Sequence, residues 1–199
     1  MAQRILEVQN LNISFGEGAQ AVAAVADLSF QLQAGEVVGL VGESGCGKSV
    51  TALAIMRLLE ERAHVSGAVL VDGVDVLTLP EKNMCSLRGD MFSMVFQEPM
   101  TSLNPVQTIG QQLDEVSLLH RQVSRPEART LSVEMLTKVG IPRPQEICAE
   151  YPHQLSGGMR QRVMIAMALA CRPRVLIADE PTTAMDLVMR PQILQLLRN

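Results

Sequence analysis

The chain has 199 residues, of which 47% are hydrophobic, so it is long enough to bury the core of one domain of ordinary size. Its 17 basic and 21 acidic residues give a formal net charge of -4 without blocks of one sign, which argues against nucleic acid as the main partner. The 4 cysteines form no CxxC pair, so we expect neither a zinc site nor a disulfide framework, and a reducing compartment fits. The longest uncharged apolar run, Val163–Cys171, is shorter than the ~20 residues of a spanning helix, so any membrane role is expected to come through a partner.

The chain up to about Gln97 has the patterns of β-strands. Ile5–Val8 and Leu28–Leu32 alternate apolar and polar residues, as half-buried strands do. Val37–Val41 is apolar throughout, which predicts a strand buried on both faces. A β-rich body is therefore expected in this part of the chain.

The chain from Thr101 to about Cys171 has helical spacing instead. Apolar residues recur three and four positions apart in three segments, which are Val106–His120, Pro126–Val139 and Met159–Ala170. The buried-strand pattern returns at Arg174–Ala178, and Leu187–Leu197 is predicted to form a closing helix. We therefore expect an α/β fold in which a helical region is inserted into a β-rich body.

The first motif with a clear chemistry is a complete GxxxxGKS loop between the predicted strand Val37–Val41 and a predicted helix, Val50–Leu59. Its glycines let successive backbone N–H groups point at a phosphate, and the helix that follows adds its N-terminal dipole. Lys48 is predicted to bridge the terminal phosphates, and the Ser49 hydroxyl is predicted to bind magnesium. The expected nucleotide-binding residues are Gly42, Glu43, Ser44, Gly45, Cys46, Gly47, Lys48, Ser49 and Val50.

The second motif is a pair of carboxylates, Asp179 and Glu180, directly after the predicted strand Arg174–Ala178. Ligand crevices of open α/β sheets lie at the carboxyl ends of strands. Asp179 is predicted to hold magnesium, directly or through water. Glu180 is predicted to act as the general base that polarises the attacking water.

The third motif begins with a serine that can cap a helix and two glycines that keep its approach free of side chains. It consists of Leu155, Ser156, Gly157, Gly158, Met159, Arg160 and Gln161. The order of phosphate loop, Gln97, this motif and Asp179-Glu180 resembles the ABC ATPases over essentially the whole chain. The resemblance implies an α/β P-loop NTPase (RecA-like) core with an N-terminal antiparallel β-subdomain and an inserted helical subdomain.

The resemblance also implies how a second phosphate-binding helix N-terminus is used. Two ATP-binding domains would pack head to tail, so that the Lys48 loop of one and the Ser156 cap of the other enclose one ATP. Gln97 would sense magnesium and the γ-phosphate and would take part in catalysis with Glu180 and Lys48, and it would complete a magnesium ligand set of Ser49, Gln97 and Asp179. Thr182–Asp186 is similar to the D-loop that crosses the dimer interface.

Two residues have two interpretations each. Phe15 stands where the family places an aromatic ring against adenine, but a single phenylalanine is equally at home in a core. Cys46, near Lys48 and a helix N-terminus, is either a reactive thiol or an inert one that replaces serine.

The residues around Gln97–Pro105, Tyr151–Arg162 and Ala178–Thr183 resemble bacterial importers of dipeptides, oligopeptides and glutathione. The resemblance implies a peripheral subunit on the cytoplasmic face of the inner membrane, with a second ABC ATPase subunit and transmembrane permease subunits as partners. A substrate-binding protein would select the cargo. The segment from Glu98 to about His120 would dock the permease.

Two other classes remain open. A soluble ABC ATPase of DNA repair or translation shares the nucleotide motifs, but it should carry a coiled-coil insert, a second ATPase domain or basic patches. The second open class is a fragment that binds a nucleotide without hydrolysing it. In the family a switch histidine contacts the γ-phosphate, and His64, His120 and His153 do not stand in its place. For residues 1–199 alone we therefore expect ATP binding with weak or no hydrolysis. The expected divisions are 1–97, 98–171 and 172–199.

Overall fold

The computed structural model describes residues 3–97, 102–181, 191 and 193–195. The chain forms two compact units, Met1–Arg88 and Gly89–Asn199, so the boundary lies between an arginine and a glycine with a positive φ of 92°.

The first unit contains a four-stranded antiparallel sheet in the order β2-β1-β3-β4. The strands are β1 (Arg4–Phe15), β2 (Val22–Gln33), β3 (Ala63–Val71) and β4 (Val74–Asp75). Leu6 of β1 pairs with Leu32 of β2 on one side and with Val71 of β3 on the other. The predicted strands Ile5–Val8 and Leu28–Leu32 are therefore confirmed as the middle of longer strands.

The prediction of a buried strand at Val37–Val41 is wrong for the described structure. The segment belongs to neither of the two described sheets. Val37 is 71% exposed and Val41 is 90% exposed. A strand needs a neighbour for its backbone N–H and C=O groups, and apolar sequence alone does not supply one.

Helix α1 (Lys48–Ile55) begins in the phosphate loop, and its C-terminal end is held by two arginines. The Arg88 side chain donates to the carbonyl oxygens of Met56 and Arg57, at 3.0 and 3.1 Å. The Arg57 side chain donates in turn to the carbonyls of Val76 and Leu79. The two bonds from Arg88 satisfy carbonyls that the helix end leaves without partners, and those from Arg57 tie this end to the segment of Val76 and Leu79, so α1 is fixed at the end opposite its phosphate loop.

The same two arginines contact a carboxylate on helix α2 (Glu81–Leu87). Glu81 forms ion pairs with both Arg57 and Arg88. The hydrogen bond from Arg88 holds the pKa of Glu81 below its usual value. The sequence patterns gave no indication of this cluster, because its members lie far apart along the chain.

The second unit is mainly helical. Its helices are α3 (Ile109–His120), α4 (Arg125–Lys138), the short α5 (Pro144–Ile147) and α6 (Gly157–Leu169). The three predicted helices of this region are confirmed, with ends that differ by at most three residues. The predicted helix Leu187–Leu197 lies largely outside the described residues.

The helices of this unit pack around one apolar cluster, whose fully buried members include Ile109, Leu113, Leu136 and Ile165. An ion pair joins α3 to α4 at the edge of the cluster. Arg129 donates from two nitrogens to one carboxylate oxygen of Asp114, at 2.9 and 2.7 Å, and Ser132 donates to the other oxygen at 2.6 Å. The hydrogen bond with Asp114 also raises the pKa of Arg129.

Two short parallel strands complete the second unit. β5 (Phe92–Val95) pairs with β6 (Val175–Ala178) in the register Phe92↔Val175 to Val95↔Ala178. The predicted strand Arg174–Ala178 is confirmed, with a start one residue later. Within the described ranges, none of the helices has both the length and the apolar character needed to cross a membrane.

Candidate functional site

The phosphate loop is held in shape by the lysine that it is expected to present to a nucleotide. The Lys48 ammonium donates to the carbonyl oxygens of Gly42 at 2.9 Å and Glu43 at 2.7 Å. The Cys46 N–H donates to the same Glu43 carbonyl at 3.3 Å. The loop therefore curls around its own lysine, which places a positive charge at its centre.

Gly47 is the residue at which only glycine fits. It caps α1 with a φ of 95°, a left-handed conformation that disfavours a side chain. A Cβ there would lie 2.6 Å from the carbonyl oxygen of Ala24 in β2. The start of α1 can therefore touch the sheet of the first unit because residue 47 has no side chain.

Cys46 lies inside the curve of the loop. Its Sγ is 3.7 Å from the Lys48 ammonium, and a Cβ on Gly42 would collide with it. The side chain is nevertheless exposed to solvent. The thiol is thus placed where a bound phosphate is expected, although neither interpretation of its reactivity is tested by this geometry.

A cleft of about 270 Å³ opens beside the loop within the first unit. Its lining combines apolar residues of β2 and of the segment before the loop with the loop itself, and it includes Val25, Leu28, Leu40, Cys46, Lys48 and Thr51. An apolar cleft with a few convergent polar groups is the usual form of a small-molecule site. The described lining does not include Phe15, which lies half-buried at the end of β1, so its contact with adenine stays a prediction.

The remaining residues of the loop lead into helix α1 or form its first turn. Glu43, Ser44 and Gly45 are exposed, and Gly45 has a φ of 81°. Ser49 and Val50 are half-buried in the first turn of α1. Their contact with a nucleotide remains a prediction.

The second unit gathers three of the predicted residues at one edge of its parallel strands. Val95 pairs with Ala178, and the Asp179 N–H extends the pairing by donating to the Val95 carbonyl at 2.9 Å. Gln97 follows β5 by two residues, while Asp179 and Glu180 follow β6. Because parallel strands end at the same edge, the amide and the two carboxylates lie at a common strand end.

The turn after β6 has an unusual backbone at Glu180. Its φ is 48°, in the left-handed region, although it is not a glycine. The residue before a proline is also restricted, here by Pro181. Such a conformation is held by its surroundings and often occurs where a side chain must be aimed.

The third motif, Leu155–Gln161, which we call the signature segment, is exposed at Ser156 and Gly157 and half-buried or buried at its other residues. Ser156 caps helix α6 by accepting from the Met159 N–H at 3.3 Å, and Ser156 and Gly157 are exposed. Gly158, Met159 and Arg160 are half-buried. Leu155 and Gln161 are buried, and their part in the nucleotide site stays a prediction.

The role of Gln161 is a feature that sequence patterns missed. Its amide nitrogen donates to the carbonyl oxygen of Pro181 at 2.6 Å, next to Glu180. Local sequence gave no signal for this bond, because Gln161 stands between Arg160 and Arg162 and its partner lies 20 residues further along the chain. The D-loop resemblance at Thr182–Asp186 lies outside the described residues.

A glycine loop that opens a helix, in a chain that also ends a parallel strand with Asp-Glu, defines a P-loop nucleotide-binding protein. The family model described as ABC transporter matches residues 25–183, and the chain therefore belongs to the ABC transporter family. This confirms the resemblance recognised from the three motifs.

Relatives and solved structures agree with this assignment. The chain is 54% identical to the peptidoglycan transport ATP-binding protein YejF of Agrobacterium fabrum, over 98% of this chain and 36% of that protein. It is 55% identical to the glutathione import ATP-binding protein GsiA of Escherichia coli, over 99% of this chain and 33% of that protein. The chain thus spans about a third of the length of these curated relatives.

The solved dimeric structure of the ATP-binding cassette MJ0796 in a post-hydrolysis state, bound to ADP and Pi, matches with a TM-score of 0.87 and 29% identity. The match covers 97% of this chain and 81% of that one. CbiO1 from Clostridium perfringens, part of the transporter complex cbiONQ, matches with a TM-score of 0.75 and 27% identity, over 98% of this chain and 73% of that one. The α/β P-loop NTPase fold of an ABC ATPase is therefore confirmed.

Proposed function

We propose that the chain is the ATP-binding and ATP-hydrolysing part of a subunit that powers the import of peptides, of the dipeptide, oligopeptide or glutathione class. The observation that carries the proposal is the phosphate loop, in which hydrogen bonds to the carbonyl oxygens of Gly42 and Glu43 hold the Lys48 ammonium at the centre of the loop. A nucleotide phosphate that entered the loop would find the ammonium and the N-terminus of α1 on the same side.

Three residues divide the chemistry among them. Lys48 binds the β- and γ-phosphates and offsets their charge. Glu180 accepts the proton of the attacking water, and its fixed backbone turn aims the carboxylate. Gln97, at the same strand edge as Glu180, orients the water and the γ-phosphate.

Magnesium fits the donors that the chain offers. Ser49, Gln97 and Asp179 present a hydroxyl, an amide and a carboxylate oxygen, which are the hard ligands that this ion prefers. The described residues contain no group of three or more His, Cys, Asp or Glu side chains that could hold a metal. An ion that shares its ligands with nucleotide phosphates needs no such group, and it would neutralise charge on the phosphates when bound.

A second ABC ATPase subunit completes the proposed site. The exposed cap of Ser156 and Gly157 leaves the N-terminus of α6 open to a partner's phosphates. The dimeric structure of MJ0796, a bacterial ABC transporter cassette, supports such a pairing. The partner would be either a second copy or a related subunit.

Permease subunits of the inner membrane are the other proposed partners, with a substrate-binding protein acting through them. The names of the relatives, glutathione import and peptidoglycan transport, support a peptide cargo. The permease is expected to dock on the segment from Glu98 to about His120, of which residues 98–101 lie outside the part of the chain that the structure describes. Further on, Val106 is 79% exposed and Leu119 is 71% exposed, as a surface that meets another protein would be.

The proposal is tested in two stages. Purified chain should bind a non-hydrolysable ATP analogue in a magnesium-dependent manner, as measured by calorimetry; an absence of binding would contradict it. Tagged chain expressed in a bacterium should then recover permease subunits from solubilised membranes. Recovery of ribosomes or DNA instead would favour the soluble ABC ATPases of translation or repair.

A further inference from the structure

A buried glutamine connects helix α6, which we call the signature helix because it begins in the signature segment, to the turn that carries the proposed catalytic carboxylate. Gln161 lies on helix α6 and is 0% exposed. Its neighbours one turn further along the helix, Met164 and Ile165, belong to the apolar cluster of the second unit. An apolar side chain at this buried position would have no polar atoms that need hydrogen-bond partners, whereas the glutamine amide has two.

Only part of the amide is satisfied. Its nitrogen donates to the Pro181 carbonyl at 2.6 Å, but its oxygen is buried and accepts no hydrogen bond from the described residues. A buried acceptor without a donor weakens stability, so packing alone does not account for glutamine at this position. The bond to Pro181 is the feature that a methionine of similar volume would lose.

The bond acts on a turn that needs support. Glu180 has the left-handed φ of 48°, and Pro181 follows directly. On the strand side, the turn is fixed by the hydrogen bond from the Asp179 N–H to the Val95 carbonyl. On the far side, the Gln161 amide donates to the Pro181 carbonyl at 2.6 Å.

We propose that Gln161 is a positioning residue for ATP hydrolysis, because its buried amide ties the Pro181 carbonyl to the signature helix and so holds the Asp179-Glu180 turn in its aimed conformation. This inference rests on the proposed function. It also gives the signature helix a role within its own subunit: the exposed cap at Ser156 and the carboxylate turn are attached to one rigid element, so a displacement of α6 is transmitted to Glu180.

Gln161→Met separates positioning from packing, because methionine keeps the volume and removes both polar atoms. We expect an unchanged or higher Tm, unchanged affinity for ATP, and a kcat that is lower by about ten- to hundredfold, the range in which misplaced catalytic groups act. Ser132→Ala is the matched control. It also removes a buried polar group from the second unit, but its partners are Asp114 and Ala128, so it should lower the Tm and leave kcat unchanged.

A second readout keeps the test independent of turnover. Hydrogen exchange of the peptide covering residues 174–181 should be faster in Gln161→Met than in the parent and unchanged in Ser132→Ala. Equal exchange in Gln161→Met and the parent would overturn the inference, as would an unchanged kcat in a parent that hydrolyses ATP. If the parent binds no ATP, the proposed function fails, while the exchange comparison still decides the role of Gln161.

Discussion

The phosphate loop of the first unit and the strand end of the second unit that carries Gln97, Asp179 and Glu180, here called the carboxylate edge, are built from different kinds of chemical group. The loop is shaped by backbone groups and one lysine, and a Cβ on its Gly47 would lie 2.6 Å from the Ala24 carbonyl oxygen. The edge depends on side-chain groups that two parallel strands bring to one end. Substitutions that add atoms should therefore lower the ATP affinity of the loop, whereas at the carboxylate edge the loss of one functional group should lower the rate of hydrolysis.

Glu180→Gln should have the largest effect and tests the edge. The amide keeps the size of the side chain but cannot accept a proton, so the hydrolysis rate should fall by about 10²- to 10⁴-fold, while ATP binding stays intact. Phosphate release and calorimetry measure the two quantities on the same preparation. Glu134→Gln, on the exposed face of helix α4, is a control that should change neither. Equal hydrolysis by Glu180→Gln and parent would remove the general-base assignment.

Lys48→Ala comes next and tests the loop. It removes the charge expected to meet the phosphates and the hydrogen bonds to Gly42 and Glu43, so ATP affinity should fall by about ten- to hundredfold. Lys82→Ala, an exposed lysine of α2 in the same unit, removes an equal charge and should leave affinity unchanged. If both variants bound ATP equally well, the loop would not be the phosphate site.

Gly47→Ala sharpens the claim that added atoms damage the loop. The methyl group would clash with the Ala24 carbonyl, and both ATP affinity and the free energy of unfolding should fall, affinity by about tenfold. Gly35→Ala is the matched control, since Gly35 also has a positive φ, 76°, but has open space around its Cα. A similar loss in both variants would show that backbone conformation, and not the approach to β2, decides the effect.

Labelling of Cys46 should show the smallest effect. At an ATP concentration five times the Kd, alkylation of a thiol inside the occupied loop should be about sixfold slower, as expected from the remaining free fraction. Cys85, exposed in the same unit, is an internal control whose rate should not change. Burial raises the pKa of Cys148 and of Cys171, so these thiols should react slowly with or without ATP. Equal rates for Cys46 with and without ATP would place its thiol outside the nucleotide site.

The sequence by itself determined the chemistry and most of the elements. Strict spacing defines the Gly42–Ser49 loop and the Asp179-Glu180 pair, because those functions need particular residue types at fixed intervals. Hydrophobic periodicity gave the strands Ile5–Val8 and Arg174–Ala178 and the helices of the second unit, because local burial sets that period.

Tertiary structure decided the features that depend on residues distant in the chain. The apolar run Val37–Val41 predicted a buried strand, yet pairing depends on a neighbour that local sequence does not specify. Three other features join positions that no local sequence pattern relates. They are the hydrogen bonds of Arg57 and Arg88 at the end of α1, the close approach of Gly47 to Ala24, and the bond from Gln161 to Pro181. A hydrogen bond between residues 161 and 181 becomes predictable only when the fold has brought the helix and the strand end together.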